Sequence, residues 1–147
     1  MFMFGVQRYT LDEKGRVRIP ARFLEELGDR PVLSPGVGGR ANIMSADMFF
    51  KQHPQLHDPN FYDVAEQDRS TALFSKSCEL EPDTQGRVIL PQGIVKLLEI
   101  KKEVVLVGKL TYVELWAAEE YDSRDELIDK ASITKLLSSF GSVVEKD

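Results

Sequence analysis

Two stretches of the chain repeat one pattern, and this repeat constrains the fold more than any other feature. Residues 10–20, TLDEKGRVRIP, align with residues 81–91, EPDTQGRVILP, and the identical positions hold aspartate, glycine, arginine, valine and proline. In both copies an amphipathic stretch follows the pattern, and an apolar strand-like run follows that stretch. Because a long internal repeat is the signature of a duplicated structural unit, we interpret the chain as a tandem duplication.

Each copy predicts the same order of elements: strand, tight turn, strand, short helix, strand, strand and helix. In the first copy, Val17 and Ile19 alternate with Arg16 and Arg18. A period of two places the apolar pair on one face of a strand and both arginines on the other. Pro20 stands where a helix begins, because proline is tolerated at the first helical position and not deeper. Each copy therefore predicts a half-buried hairpin followed by a helix, in an α+β fold.

The repeat also predicts the organisation of the chain. Residues 1–52 form the first repeat, 53–75 a linker with a helix, 76–122 the second repeat, and 123–147 a helical tail. In the linker we expect a helix over residues 60–75, with Phe61, Val64, Leu73 and Phe74 partly buried. Further helices are expected from Trp116 to about residue 130 and over 133–140, with a frayed end at 143–147.

The composition is that of an ordinary globular protein. The chain has 147 residues, of which 42% are hydrophobic and 29% charged, and a chain of this length can bury a core. The single cysteine, Cys78, excludes a disulfide within the chain and fits a reducing compartment. The start of the chain lacks the features of a signal peptide, and no apolar run approaches the roughly 20 residues that span a bilayer. We therefore expect a cytoplasmic protein with no membrane partner.

The charge of the chain is unevenly distributed. The net charge is −5, which by itself argues against binding to nucleic acid. Between residues 8 and 22, however, five basic side chains stand against two acidic ones. Such a window is a candidate binding face, although a solvated strand is the alternative interpretation. The five are Arg8, Lys14, Arg16, Arg18 and Arg22.

The Asp-x-x-Gly-Arg pattern has a clear physical logic. An aspartate that begins a turn accepts hydrogen bonds from backbone N–H groups about two residues later. A glycine three residues on supplies the positive φ that other residues adopt at a cost. The arginine then begins the returning strand on a stiff support, where it suits guanine or phosphate. Taken alone, the pattern leaves a purely structural turn, with Asp12 pairing Arg16 and Asp83 pairing Arg87, as the alternative.

Longer motifs resemble the MraZ family of bacterial regulators. They are residues 11–23, LDEKGRVRIPARF; residues 83–91, DTQGRVILP; residues 102–108, KEVVLVG; and residues 113–116, VELW. The resemblance implies a duplicated swapped-hairpin fold related to AbrB-type DNA binders, with a small barrel-like core and flanking helices. It also implies ring-shaped homo-oligomers that bind tandem repeats in the promoter of the division and cell-wall gene cluster that contains their own gene. The family's DNA-recognition signature maps to Asp12, Arg16, Asp83 and Arg87.

We therefore predict a sequence-specific DNA-binding regulator, a repressor rather than an activator, acting in the cytoplasm at the nucleoid. The predicted DNA-binding residues are Asp12, Lys14, Arg16, Arg18, Asp83 and Arg87, and Arg8 and Arg22 are further candidates for phosphate contacts. The partners are double-stranded DNA and further copies of the chain. The alternative is a protein–protein assembly module in which the same hairpins pair between subunits.

Catalytic, metal and cofactor sites are not expected. A nucleophilic Cys78 would need a neighbouring base, and His53 and His57 lie in a proline-flanked loop. These two histidines also fall short of the three or four ligands of a metal site. The glycine-rich residues 34–39 lack the Lys-Ser/Thr ending of a phosphate-binding loop. We predict a protein that is not an enzyme and takes no small-molecule substrate.

Overall fold

The structure is a computed structural model that describes residues 2–124 and 128–145. The first repeat contains β1 (Val6–Thr10), β2 (Arg16–Arg18), α1 (Ala21–Leu27), β3 (Val32–Pro35), β4 (Ala41–Met44) and α2 (Ala46–Gln52). A 3-10 turn (Pro54–Leu56) and α3 (Val64–Ser75) form the connection. The second repeat contains β5 (Cys78–Glu79), β6 (Arg87–Ile89), α4 (Gln92–Leu97), β7 (Glu103–Gly108), β8 (Val113–Ala117) and α5 (Ala118–Asp122), and α6 (Lys130–Glu145) follows. The predicted order of elements is confirmed in both repeats.

The strands of the two repeats interleave. Six antiparallel strands form one sheet in the order β1-β7-β8-β4-β3-β5. The first strand of each repeat pairs with the third strand of the other, β1 with β7 and β5 with β3. The second strands, β2 and β6, pair with each other in a separate two-stranded ribbon. The expected swapped-hairpin fold is therefore confirmed.

The barrel-like closure of the core needs a correction. The six-stranded sheet is open, with β1 at one edge and β5 at the other. In the described residues no strand joins these edges, because β2 and β6, which follow the edge strands in sequence, pair with each other instead. The fold is thus an open antiparallel sheet with a ribbon and helices packed on it.

The core is built from equivalent residues of the two repeats. Val17 and Val88 face each other across the ribbon and are both fully buried. The apolar positions of the predicted strand alternation thus point inward, as expected. Each such side chain stabilises the fold by about 1.5–3 kcal/mol relative to an exposed position. The ribbon and the helices that follow it contribute matched pairs to this core: Val17 and Val88, Ile19 and Leu90, Phe23 and Ile94.

The linker helix is shorter and more exposed than predicted. Helix α3 begins at Val64, because the Asp63 carboxylate accepts a hydrogen bond from the N–H of Glu66 at 3.1 Å and caps the helix there. Of the four apolar side chains expected to be partly buried, only Leu73 is. Phe61, Val64 and Phe74 are exposed, and the prediction of their burial is wrong. No other element of the described chain covers this face of α3.

The helices at the end of the chain also differ from the prediction. Helix α5 ends at Asp122, so the expected helix to about residue 130 is wrong; residues 125–127 of that range lie outside the described residues. Helix α6 begins at Lys130, where Asp129 accepts a hydrogen bond from the N–H of Ser132 at 2.7 Å. It runs through Glu145 and so includes residues 143–145 of the predicted frayed end, while 146–147 lie outside the described residues. Among the described helices, none has the length and apolar character that a bilayer crossing requires.

Candidate nucleic-acid interface

The first Asp-x-x-Gly-Arg motif forms a tight turn that its own aspartate closes. The Oδ1 atom of Asp12 accepts hydrogen bonds from the backbone N–H groups of Lys14 and Arg16, at 2.9 and 2.8 Å. The N–H of Gly15 donates to the Asp12 carbonyl oxygen at 3.0 Å. Gly15 has a φ of 74°, in the left-handed region that glycine occupies without strain. The turn is therefore fully determined by local residues, as the sequence predicts.

The second motif reproduces this geometry. Asp83 Oδ1 accepts from the N–H groups of Gln85 and Arg87, each at 2.9 Å, and Gly86 has a φ of 76°. In both motifs the other carboxylate oxygen binds the arginine side chain. Arg16 Nε donates to Asp12 Oδ2 at 2.7 Å, and Arg87 Nε donates to Asp83 Oδ2 at 2.9 Å. Each aspartate thus fixes both the turn and the direction of its guanidinium group.

These hydrogen bonds lower the pKa values of both turn aspartates. The backbone N–H of Arg16 contributes most to lowering the pKa of Asp12 below its ordinary value of 3.8, and the Arg16 side chain and the Lys14 N–H lower it further. The backbone N–H of Arg87 has the same leading effect on the pKa of Asp83. Both carboxylates are therefore ionised at neutral pH.

The ribbon brings the charged residues of the two motifs to one face. In the register of β2 and β6, Arg16 lies opposite Ile89 and Arg18 lies opposite Arg87. Because side chains alternate along a strand, these four point away from the buried pair Val17 and Val88. Three guanidinium groups and one isoleucine thus share the outer face of the ribbon, which we call the ribbon face: Arg16, Arg18, Arg87 and Ile89.

Contacts between the repeats hold the two turns in fixed positions. The N–H of Ile19 donates to the Gly86 carbonyl at 2.8 Å, and the N–H of Leu90 donates to the Gly15 carbonyl at 3.0 Å. Each turn glycine therefore receives a hydrogen bond from the strand of the other repeat. Backbone hydrogen bonds on both sides make the ribbon a rigid platform for its side chains.

The six residues predicted for DNA binding meet at this platform. Lys14 lies at the tip of the first turn and Arg18 on the ribbon face, and both are exposed. Neither side chain forms an ion pair within the described part of the chain. Arg16 and Arg87 are half-buried against their own aspartates, Asp12 and Asp83.

The two further basic candidates are engaged elsewhere. Arg8 on β1 forms a two-point contact with Asp122, with its Nη2 at 2.6 Å and its Nη1 at 3.3 Å from the carboxylate oxygens. Arg22 Nη1 donates to the Phe4 carbonyl at 2.9 Å, and its guanidinium lies 4.5 Å from the centre of the Phe23 ring. Both arginines thus have partners within the chain that DNA phosphates would have to replace.

Sequence reasoning did not single out one residue of the ribbon face. Ile89 is 64% exposed although its neighbours Val88 and Leu90 are buried. The signal was present in the repeat, because Ile89 occupies the position that Arg18 holds in the first copy.

The other candidate residues have structural surroundings. The ring nitrogens of His53 and His57 lie 2.7 and 2.6 Å from the carbonyl oxygens of Phe49 and Phe50. Burial raises the pKa of Cys78, which disfavours a reactive thiolate. Within residues 2–124 and 128–145, no three His, Cys, Asp or Glu side chains are grouped as metal ligands.

A second charged cluster surrounds a tryptophan on the other face of the sheet. The Nε1–H of Trp116 donates to Glu114 Oε1 at 3.1 Å, and the Arg40 guanidinium lies 3.9 Å from the centre of its ring. Arg40 and Lys109 each approach Glu114 Oε2 to 3.5 Å. Because Trp116 and Glu114 are buried and satisfy each other, this cluster supports the sheet.

Comparisons with known proteins agree with the geometry. The chain matches the family described as "MraZ protein, putative antitoxin-like" over residues 1–70 and 73–138. It is 35% identical over 136 residues to a protein of Mycoplasmopsis pulmonis named transcriptional regulator MraZ, covering 92% of each chain. It is 34% identical over 122 residues to proteins of the same name from Desulforamulus reducens and Moorella thermoacetica, covering 83% of this chain and 85% of each relative. The chain belongs to the MraZ family.

Proposed function

We propose that this chain is a transcriptional regulator that binds double-stranded DNA through the ribbon face. The observation that carries the proposal is the placement of Arg16, Arg18 and Arg87 on one side of a rigid two-stranded ribbon. A two-stranded β-ribbon is one of the elements that the major groove of DNA admits. The names of the relatives support the same role.

The arrangement of charges on the ribbon also favours an anionic partner. Arg18 and Arg87 lie directly opposite each other on neighbouring strands, and like charges in that position destabilise a sheet. An anion bound between them reverses this effect. DNA phosphates supply such anions, and their contacts with lysine and arginine dominate the affinity of DNA-binding proteins.

Each residue has a distinct role in this proposal. Asp12 and Asp83 hold the turns and occupy the Nε atoms of Arg16 and Arg87. The terminal nitrogens of Arg87 are left as donors for a guanine edge or a phosphate, and so is Nη2 of Arg16, whereas Nη1 of Arg16 lies 3.9 Å from Asp83 Oδ2. The exposed Lys14, together with Arg18, adds phosphate contacts.

We further propose that the target lies in the promoter of the chain's own gene cluster, as tandem repeats, and that binding there represses transcription. In this proposal the protein acts in the cytoplasm at the nucleoid. A few cations on an acidic chain give low affinity for one site. Several linked ribbons on tandem sites raise the effective concentration after the first contact and so raise the overall affinity.

An amphipathic helix supports self-association, which this mode of binding needs. Ile133, Leu136, Leu137 and Phe140 follow the i, i+3, i+4, i+7 spacing of one helix face, and all four are exposed on α6. A groove of about 540 Å³ beside α3 is a matching surface, lined in part by Leu56, Phe61 and Phe74.

Charge complementarity favours a second copy of the chain as the occupant of this groove. The described side chains of α6 include two lysines and no acid, whereas α3 and its cap carry three acids and one arginine. We propose that α6 of one copy packs in the α3 groove of the next. The charged residues are Lys130 and Lys135 on α6, and Asp63, Glu66, Asp68 and Arg69 on α3.

Fluorescence anisotropy on the DNA upstream of the chain's own gene tests the proposal. A scrambled duplex of the same composition and an Arg16→Ala variant run beside it at two salt concentrations. We expect tighter binding to the native duplex, loss of this preference in the variant, and weaker binding at higher salt. Equal or absent binding to both duplexes by a folded, assembled sample would contradict the proposal.

The second candidate is an assembly module in which the ribbon face contacts protein. The observation that favours it is the exposed Ile89 among the arginines, since apolar side chains with arginine are typical of protein interfaces. In that case the chain would associate through the ribbon, and Ile89→Asp would reduce its mass in solution without any DNA present.

A further inference from the structure

The exposed Ile89 is informative because of where it lies on the ribbon face, and not only because it is exposed. Single exposed apolar side chains are common and need no role. Ile89, however, lies directly across the ribbon from Arg16 and follows Arg87 by two residues on the same face. It therefore stands among the guanidinium groups that we propose to enter the major groove.

The duplication makes the choice of residue at this position informative. The two motifs are related by the pairing of β2 with β6, so the ribbon face is nearly symmetric. Arg16 and Arg87 are equivalent residues, as are Asp12 and Asp83. Among the ribbon-face residues, Arg18 and Ile89 are the equivalent pair that differs in charge, so the two ends of the ribbon face are chemically distinct.

The chemistry of the major groove supplies one apolar group for such a side chain. Each base pair presents hydrogen-bond donors and acceptors there, and thymine adds its 5-methyl group. A side chain without polar atoms gains nothing from the donors and acceptors, whereas it is stabilised by burying a methyl group.

We propose that Ile89 contacts the 5-methyl group of a thymine next to the base that Arg16 contacts, and that this contact sets the orientation of the ribbon on its site. This inference rests on the proposed DNA-binding function. With arginine at both equivalent positions, the ribbon face would present the same four residue types after a half-turn about its pseudo-twofold axis. With Arg18 on one side and Ile89 on the other, one orientation places the methyl group against isoleucine, and the opposite one places it against a cation.

Deoxyuridine, which is thymidine without the 5-methyl group, provides a direct test. The upstream duplex is prepared with each thymidine replaced in turn by deoxyuridine, and the affinity of each duplex is measured for the unmodified protein and for Ile89→Ala. At one position or a few neighbouring positions within each tandem repeat, we expect the replacement to weaken binding by the unmodified protein about fourfold, the effect of one buried methyl-sized group. Ile89→Ala should bind the native duplex more weakly by at least this factor and show no further loss at those positions.

Two further variants test whether the effect is specific to the apolar side chain at position 89. Val37→Ala shortens another apolar side chain, 90% exposed in the loop between β3 and β4, and should leave both the affinity and the deoxyuridine effect unchanged. Ile89→Arg restores the residue of the first repeat. Because it adds a cation, it should bind both native and scrambled duplexes more tightly and with a steeper salt dependence, while losing the deoxyuridine effect.

The outcomes separate the inference from the function on which it rests. Binding that does not distinguish the native from the scrambled duplex would overturn both. Specific binding with the same deoxyuridine effect in the unmodified protein and in Ile89→Ala would overturn the thymine contact and leave the proposed function standing. A deoxyuridine effect at the same position of each tandem repeat that is absent in Ile89→Ala and in Ile89→Arg, but retained in Val37→Ala, would establish the contact.

Discussion

Arg16 and Asp83 belong to different repeats, yet Arg16 Nη1 lies 3.9 Å from Asp83 Oδ2. Arg16 is therefore held by the aspartate of its own turn and faces that of the other turn. The equivalent approach of Arg87 to Asp12 is not among the ion pairs of the described residues, so the two halves of the ribbon differ in geometry as well as in sequence. The two arginines should therefore contribute unequally to binding.

We expect Arg16→Ala to weaken DNA binding more than Arg87→Ala. Arg16 is flanked by the exposed Lys14 and Arg18, whereas the equivalents of these residues in the second repeat carry no charge. Loss of a paired contact between arginine and a base costs about 1–3 kcal/mol, and anisotropy titrations measure it. Arg30→Ala removes an exposed arginine that is not part of the ribbon and pairs with Glu79 and Glu81, and it serves as the control. Equal losses, or a larger loss for Arg87→Ala, would contradict this expectation.

The turn glycines should differ in their tolerance of alanine. Gly15 and Gly86 both have positive φ, so alanine costs about 1–2 kcal/mol at either position. A Cβ at Gly86 would also lie 3.1 Å from the Ile19 carbonyl oxygen, whereas a Cβ at Gly15 would meet no atom within 4 Å. Urea unfolding should therefore give a lower free energy of unfolding for Gly86→Ala than for Gly15→Ala. The reverse order would show that the second turn has room to relax.

The two turn aspartates should make the fold less stable as the pH falls into the acidic range. The folded-state pKa values of Asp12 and Asp83 lie below 3.8, so their stabilising contribution is fully present above that pH. As the pH falls below 3.8, the unfolded chain binds protons first, and the contribution is lost by the time the pH has passed the folded-state values.

Thermal unfolding between pH 2 and pH 6, an interval of about two units either side of the reference pKa, measures this dependence. Asparagine at both positions keeps an oxygen for the turn N–H groups but does not titrate. The Asp12→Asn, Asp83→Asn double variant should lose stability less steeply than the unmodified protein below pH ~4. If the stability of the two proteins falls equally steeply with pH, groups other than Asp12 and Asp83 cause the acid sensitivity.

Glu114 should be important for stability. It accepts the Trp116 N–H and faces the Arg40 guanidinium in buried surroundings. Glu114→Ala leaves both groups without this acceptor and should lower the free energy of unfolding by about 3–5 kcal/mol. Glu114→Gln keeps an acceptor for Trp116 and should lower it less. Chemical denaturation with tryptophan fluorescence as the signal measures the free energy of unfolding of both variants. A Glu114→Ala variant as stable as the unmodified protein would refute the assigned role.

The apolar face of α6 should control the assembly of the chain. Leu136→Glu places a charge in the apolar stripe and should lower the mass measured by sedimentation or native mass spectrometry. Ala131→Glu places the same charge on the opposite side of α6 and is the matched control. An unchanged mass in Leu136→Glu, or an equal reduction in both variants, would argue against α6 as a contact between copies.

The sequence allowed the turns and the order of elements to be predicted because these are local properties. Asp12 and Gly15 determine their turn without distant partners, and so do Asp83 and Gly86. The alternation of Val17 with its neighbours identified the buried face of β2. An alternating pattern states which face of a strand is buried, but not which strand lies beside it. The resemblance implied that hairpins are exchanged between the repeats, but the register of β2 against β6 and the open edges of the sheet required the structure.

The errors in the linker have a related cause. Phe61 and Phe74 are apolar, and apolar side chains in a helix predict burial against a core. In the described chain they instead line an open groove. Their apolar character was identified correctly, but a single sequence does not state whether the covering surface lies in the same chain or in another molecule.

The exchange of strands between the repeats has a consequence for how this chain is made. β1 is synthesised before its partner β7, which ends at Gly108, and β2 is synthesised before its partner β6. The nascent first half therefore leaves the ribosome with its opening strand unpaired and its apolar side chains without a complete core. Long-range strand pairing of this kind slows folding and leaves intermediates that are prone to aggregate. The sheet is thus completed only after β8, its last strand in chain order, has been translated.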